Sequence, residues 1–129
     1  MVAVTDCRLS ISSRGDGWES NVVQRARMNI EGSLVSIYYE LDGDECTLIL
    51  SPVRAEQVRK GGVNIKISFA EGAKTACILG EEDLRGGYAV YTESYECIVG
   101  AKGVSARIKY RSGDDGEKIN LKVRALAIQ

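Results

Sequence analysis

The chain is written in a two-residue beat of apolar and polar positions. In "GVSARIKYRSGDDGEKINLKV", Gly103 to Val123, the residues Val104, Ala106, Ile108 and Tyr110 alternate with Ser105, Arg107, Lys109 and Arg111. A turn of glycine and acids follows, after which Ile119, Leu121 and Val123 alternate with Lys118, Asn120 and Lys122. A period of two places alternate side chains on opposite faces of a strand, so this stretch predicts an antiparallel hairpin. The same beat recurs upstream. Cys7, Leu9 and Ile11 mark a first strand. After "SRGDG" a long second strand starts near Trp18, with Val22, Ala26, Met28 and Ile30 on one face. Glu31-Gly32-Ser33 returns the chain into Val35, Ile37, Tyr39 and Leu41, and "DGDE" returns it again into Cys46, Leu48 and Leu50. Val63, Ile65, Ile67 and Phe69 read as a central strand bracketed by glycines. In "YAVYTESYECIV" the residues Ala89, Tyr91, Tyr95, Cys97 and Val99 are assigned to one face, with Glu93 as the exception.

Two segments resist the pattern. "VRAEQVRK", Val53 to Lys60, has helix-friendly composition between Pro52 and Gly61-Gly62, and both a strand and a single helical turn remain open there. "KTACILGEEDLR" reads as a short strand followed by a loop at Glu81, Glu82 and Asp83. Neither is long enough for a stable helix laid across a sheet. About eight to ten strands joined by short turns predict an all-β chain, and consecutive hairpins favour a single antiparallel meander barrel over a Greek-key sandwich. Closure also removes the exposed strand edges that invite aggregation. The inward set is mostly aliphatic: Leu9, Ile11, Met28, Ile30, Ile37, Leu48, Ile65, Ile67, Ile108 and Leu121. Such a set lines a pocket or fills a core.

Size and charge narrow the picture only a little. With 129 residues and no linker or repeat, residues 1–129 form one expected domain. The formal net charge of −1 supplies no global field to recruit nucleic acid or an anionic membrane. "MVAVTDCRLSISS" lacks the apolar core of a signal peptide, and no stretch reaches the length of a membrane-spanning helix, so a cytoplasmic location is expected. Cys7, Cys46, Cys77 and Cys97 form no close pair and read as reduced residues of strands.

The order of short signals is similar to that of the small bacterial YwiB-like proteins. It runs through "IYYEL" (Ile37 to Leu41), Thr47, "RKG" (Arg59 to Gly61), "FAEG" (Phe69 to Gly72), "VYTES", a strand ending in Tyr110, and "INLKVRAL". The resemblance spans Leu9 to Leu126 and implies a calycin, lipocalin-like barrel. It implies no activity, because the members of that family have no known function. Calycins often bind small hydrophobic ligands. The Gly-x-Trp of true lipocalins is not reproduced, since Trp18 directly follows Gly17 and begins the second strand.

The chemistry of the side chains argues against catalysis. There is no histidine, and hence no Ser-His-Asp or Cys-His arrangement. No phosphate-binding glycine loop or nucleophile elbow occurs, and the acids of "DGDE", of Glu81 to Asp83 and of Asp114, Asp115 and Glu117 all fall at turns. No enzyme, cofactor or metal is expected. The resemblance leans on Tyr39, Arg59, Thr92 and Tyr110, which are the candidate ligand-binding residues. Arg59 suits either an anionic head group or a cap on one barrel end. The leading expectation is therefore a non-catalytic binder of a small, partly apolar ligand in the barrel. The alternative is a module that docks a protein or nucleic acid on its outer strands, where Arg107, Lys109, Arg111, Lys118, Lys122 and Arg124 form a basic stripe. That stripe lacks interleaved aromatics, and like charges across a hairpin predict neutralising acids nearby, so nucleic acid is not the expected partner. A dimer stays open.

Overall fold

The computed structural model describes residues 4–80, 86–113 and 116–128, and they wind into one closed antiparallel barrel. Its strands are β1 (Val4–Gly15), β2 (Trp18–Glu31), β3 (Leu34–Leu41), β4 (Asp44–Leu50), β5 (Arg54–Lys60), β6 (Ile65–Ala70), β7 (Lys74–Leu79), β8 (Gly86–Val99), β9 (Gly103–Ser112) and β10 (Lys118–Ala127). Each pairs with the next, and β1 also pairs with β10 to close the wall. The predicted meander is thus observed, at the upper end of the expected strand number. No helix of the described residues is long and apolar enough to cross a membrane. The predicted acidic loop at Glu81, Glu82 and Asp83 and the turn acids Asp114 and Asp115 lie outside the described residues.

Local chemistry explains the turns. Asp42 and Gly43 both take positive φ, 51° and 84°, between the paired residues Leu41 and Asp44. That is the two-residue hairpin whose twist matches flanking strands, and it favours an Asp-Gly sequence. The ambiguous segment after Pro52 is strand β5, with Ala55, Gln57 and Arg59 on the face of the buried Ala55. Val63 is a correction: the central strand β6 begins only at Ile65, and Val63 stands exposed in the turn before it.

The lumen is lined by a cluster of buried apolar side chains. Leu9, Met28, Ile37, Leu48, Ile67, Ile108 and Leu121 are buried as expected, with Ile11, Ile30 and Ile65 packed against them. Phe69 lies in the same cluster, its ring 4.8 Å from that of Tyr110 at 57°, a tilted geometry that aromatic quadrupoles favour. One irregularity breaks the beat. In β8 the register against β9 shifts between Thr92 and Ser94, so Glu93 is an extra residue in the ladder, a β-bulge. Val90 and Thr92 point inward before it, and Tyr95, Cys97 and Val99 after it. Tyr91 therefore faces outward, not inward as the unbroken alternation implied.

Candidate functional site

The four residues singled out in the sequence fall into two groups on opposite walls of the barrel. Tyr39 and Arg59 both pair with Cys46, one on either side of β4. Thr92 pairs with Tyr110 across β8 and β9. Arg59 is already engaged: its Nε donates to Oδ2 of Asp44 at 2.8 Å. The same carboxylate accepts the backbone N–H groups of Gly62 at 2.7 Å and Val63 at 3.1 Å. The Gly62 amide first, then Arg59 and after it the Val63 amide, hold the Asp44 carboxyl below its usual range. Gly61 makes the approach feasible, because at its φ of 147° a Cβ would collide with the Asp44 carboxylate. Arg59 thus ties down the rim that carries the β3–β4 and β5–β6 turns.

The remaining lumen groups are held mainly by burial. The Tyr39 hydroxyl accepts a hydrogen bond from Gln57 Nε2 at 2.8 Å, and burial pushes its pKa up to about 12. Tyr110 is likewise pushed to about 12, by burial first and then by neighbours that include Tyr88 and Cys77. Thr92 is fully buried, and its Oγ1 has no hydrogen-bond partner among the described residues. Sequence reasoning missed Tyr95. Its hydroxyl lies 2.5 Å from the carbonyl of Ser51 and 2.8 Å from that of Arg54, and so spans from β8 to the β4–β5 connection. An inward aromatic was legible there, but its polar partners were not. Asp44 was missed as well, having been read only as a turn acid.

All four cysteines are free. Burial pushes the thiols of Cys7, Cys46 and Cys97 up, away from the reactive thiolate. Among the described residues no group of three His, Cys, Asp or Glu side chains is placed to hold a metal ion.

The outer wall is chemically richer than the lumen. Strands β1, β9 and β10 carry eight of the chain's 17 Lys and Arg residues, two on β1 and three on each of the others, against a single carboxylate, Asp6. Their register builds rows: Ser12, Lys122 and Arg107 lie side by side, and so do Arg14, Asn120 and Lys109. The long side chains border two adjoining depressions of about 380 Å³ each, which share Ser12, Arg107 and Lys122. Arg111 is neutralised by Glu93 at 2.6 Å. Arg14, Arg107, Lys109, Lys122 and Arg124 form no ion pair with any described carboxylate. Acids on the neighbouring strands, as expected from the sequence, do stand beside the field, Glu19 on β2 opposite Arg14 and Glu96 on β8 opposite Arg107, although only Arg111 closes an ion pair among these residues.

One exposed aromatic ring, Tyr91, borders this basic field. Tyr91, turned outward by the bulge, pairs with Arg111, which in turn pairs with Lys118. Trp18 closes the β1–β2 hairpin opposite Gly15 and keeps the parity of Ala26 and Met28, so it lies on the hairpin's inward side, away from the face that carries Arg14. Its indole N–H donates to Oε1 of Glu117, which also accepts the backbone N–H of Asp16 at 2.8 Å. Tyr91 and Trp18 are both partly exposed.

No family model and no curated protein matches the chain. Among solved structures, the crystal structure of the YwiB protein from Bacillus subtilis superposes with a TM-score of 0.80 at 16% sequence identity. The match covers 99% of this chain and 96% of that one. At this identity the likeness speaks for the fold, and it agrees with the order of signals read in the sequence. The chain folds as a ten-stranded closed barrel similar throughout its length to YwiB.

Proposed function

We propose that the barrel is a non-catalytic binding protein that presents the outer wall of β9, β10 and β1 to a polyanionic, phosphate-bearing polymer. The observation that carries this reading is the segregation of charge. A chain of net charge −1 concentrates nearly half its cations on three of ten strands and leaves most of them without an ion pair to any described carboxylate. Lys122 directly faces Arg107 across the β9–β10 ladder, an arrangement that costs stability in the free protein. A polymer of phosphates relieves that repulsion, and Ser10, Ser12, Ser105 and Asn120 stand beside the cations as hydrogen-bond donors to phosphate oxygens. Glu19 and Glu96 stand at the two edges of the face, opposite Arg14 and Arg107, and the seam between β9 and β10 is left to the cations.

Titration against heparin tests the reading. The protein is expected to bind at low salt, with a log–log salt slope of roughly −3, as for four cations each displacing about 0.7 counterions. Arg107→Glu combined with Lys122→Glu is expected to weaken binding about a hundredfold while leaving thermal unfolding nearly unchanged, because both side chains are exposed. Absence of heparin binding at low salt refutes it.

A second reading, a small partly apolar ligand in the lumen, draws on the orphan hydroxyl of Thr92 beside Tyr110. A buried polar atom without a partner calls for one. On this reading Tyr39, Arg59, Thr92 and Tyr110 surround the ligand, and a native mass spectrum of protein purified from its own host shows a retained small molecule lost in Thr92→Val. A spectrum at the bare chain mass removes it.

A further inference from the structure

We infer that two copies of the chain pair antiparallel along a free edge of β2, joining two barrels through one shared sheet; this does not depend on the polyanion reading. The wall closes, but its strands end at different heights. β1 and β2 pair without interruption from Gly15 with Trp18 to Val4 with Asn29. β3 pairs with β2 only from Arg27 to Glu31. Beyond Arg27, toward Trp18, the β1–β2 hairpin therefore overruns β3. The side chain of Gln24 crosses the widening gap and donates to the Glu40 carbonyl at 2.8 Å. From Glu19 to Val23, no backbone group among the described residues bonds the edge of β2 that faces away from β1.

The register shows which groups that edge offers. Two-residue turns close β1–β2 at Gly15 and Trp18, and β2–β3 at Glu31 and Leu34. The residues flanking such a turn form a hydrogen-bonded pair, and bonded pairs then alternate along the ladder. Even-numbered residues of β2 thus bond to β1, while odd-numbered ones turn their N–H and C=O the other way. Those of Arg27, Asn29 and Glu31 meet β3. Those of Glu19, Asn21 and Val23 are left to water.

An unpaired edge of this kind is a template for another strand. The usual guards are missing, since Trp18 to Gln24 holds no lysine, proline, glycine or bulge. The stretch also complements itself. Turned antiparallel on its own copy, it centres on Asn21 and sets Glu19 opposite Val23 of the second copy. Odd residues then meet odd residues, as the bonding pattern requires, and each such pair exchanges two hydrogen bonds. Arg25 of each copy lies diagonal to Glu19 of the other, within reach of long side chains. One end of the stretch is acidic and the other basic, so antiparallel copies match in charge and parallel copies do not. Val23, 57% exposed in the single chain, is covered by the opposing strand. A two-fold axis makes every one of these contacts twice.

The edge is ordered before a partner arrives. Glu117 accepts from the indole of Trp18 and the amide of Asp16, tying the hairpin tip to the residue that precedes β10. β1 is itself paired to β10 as far as Arg14. A strand held in this way gains a neighbour at little ordering cost.

Sedimentation equilibrium of the full chain up to about 1 mM, where weak association shows, is expected to give a monomer–dimer equilibrium. Amide exchange followed by NMR is expected to slow with concentration at Glu19, Asn21 and Val23. At Ser20 and Val22, which bond to β1, it is expected to stay unchanged. Asn21→Pro removes an edge donor where proline is tolerated and is expected to leave a folded monomer. Arg25→Glu is expected to weaken dimerisation roughly tenfold, and Glu19→Arg combined with Arg25→Glu to restore it. Should Asn21→Pro not fold, the exchange pattern and the charge reversal decide. A monomer at every concentration overturns the inference. So does a dimer in which those three amides exchange as in the monomer, or one that Arg25→Glu leaves unchanged.

Discussion

Phe69→Ala is expected to destabilise the barrel by about 3–5 kcal/mol, the usual cost of truncating a buried phenylalanine. Phe69 is 2% exposed, the largest of the fully buried side chains and the chain's one phenylalanine. Two terms add. The ring's apolar area returns to an environment it had left, and a cavity opens where Tyr110 had its tilted partner at 4.8 Å. A ten-stranded wall closed by hydrogen bonds around its whole circumference cannot collapse inward to fill that cavity without breaking register. The loss therefore falls at the high end of the range. Urea denaturation checks it: the midpoint falls with an unchanged slope if the fold survives. A loss below about 1 kcal/mol would mean that Phe69 does not sit in a packed lumen.

Most of the architecture was legible because a half-buried antiparallel strand must alternate, and a chain that alternates nearly throughout has little else to become. The inward residues from Leu9 to Leu121 were read correctly for that reason. The failures are equally physical. Strand β5 stayed open between a strand and a helical turn because two of its inward positions hold Gln57 and Arg59, whose polar groups are met by Tyr39 and Asp44 on neighbouring strands. Those partners lie 18 and 15 residues away, beyond any local pattern. Val63 looked like a strand residue, yet its amide is recruited by the Asp44 carboxylate, which holds it in the turn.

The candidate site was legible in part. The basic stripe was read from β9 and β10 alone, since alternation shows what shares a face of a hairpin but not which strand lies alongside. Closure brings up β1, and with it Arg14, Ser10 and Ser12. Arg59 was left between two roles by the sequence, and in the fold its guanidinium is bound to Asp44 at a rim. Tyr91 went to the wrong face for one reason, the bulge at Glu93.

That bulge carries the largest expected effect of any single-residue change in the chain. Glu93 was the exception in an otherwise apolar face, and the exception marked the place where the face itself changes. Ala89 and Tyr91 share its parity on the outside, whereas Tyr95 and Cys97 share it on the inside. Deleting Glu93 restores strict alternation and so forces a choice. Either Val90 and Thr92 leave the lumen in exchange for Tyr91, or Tyr95 and Cys97 leave it and Glu96 is driven in. A shift of one residue exchanges every side chain beyond it. The second choice also strips Ser51 and Arg54 of the Tyr95 hydroxyl. The deletion is expected to cost more than about 5 kcal/mol, seen as loss of cooperative unfolding. Glu93→Ala, which removes only a half-exposed ion pair with Arg111, is expected to cost no more than about 1 kcal/mol. The contrast separates backbone from side chain: comparable losses in the two variants would make the carboxylate, not the extra residue, the feature that turns Tyr91 toward solvent.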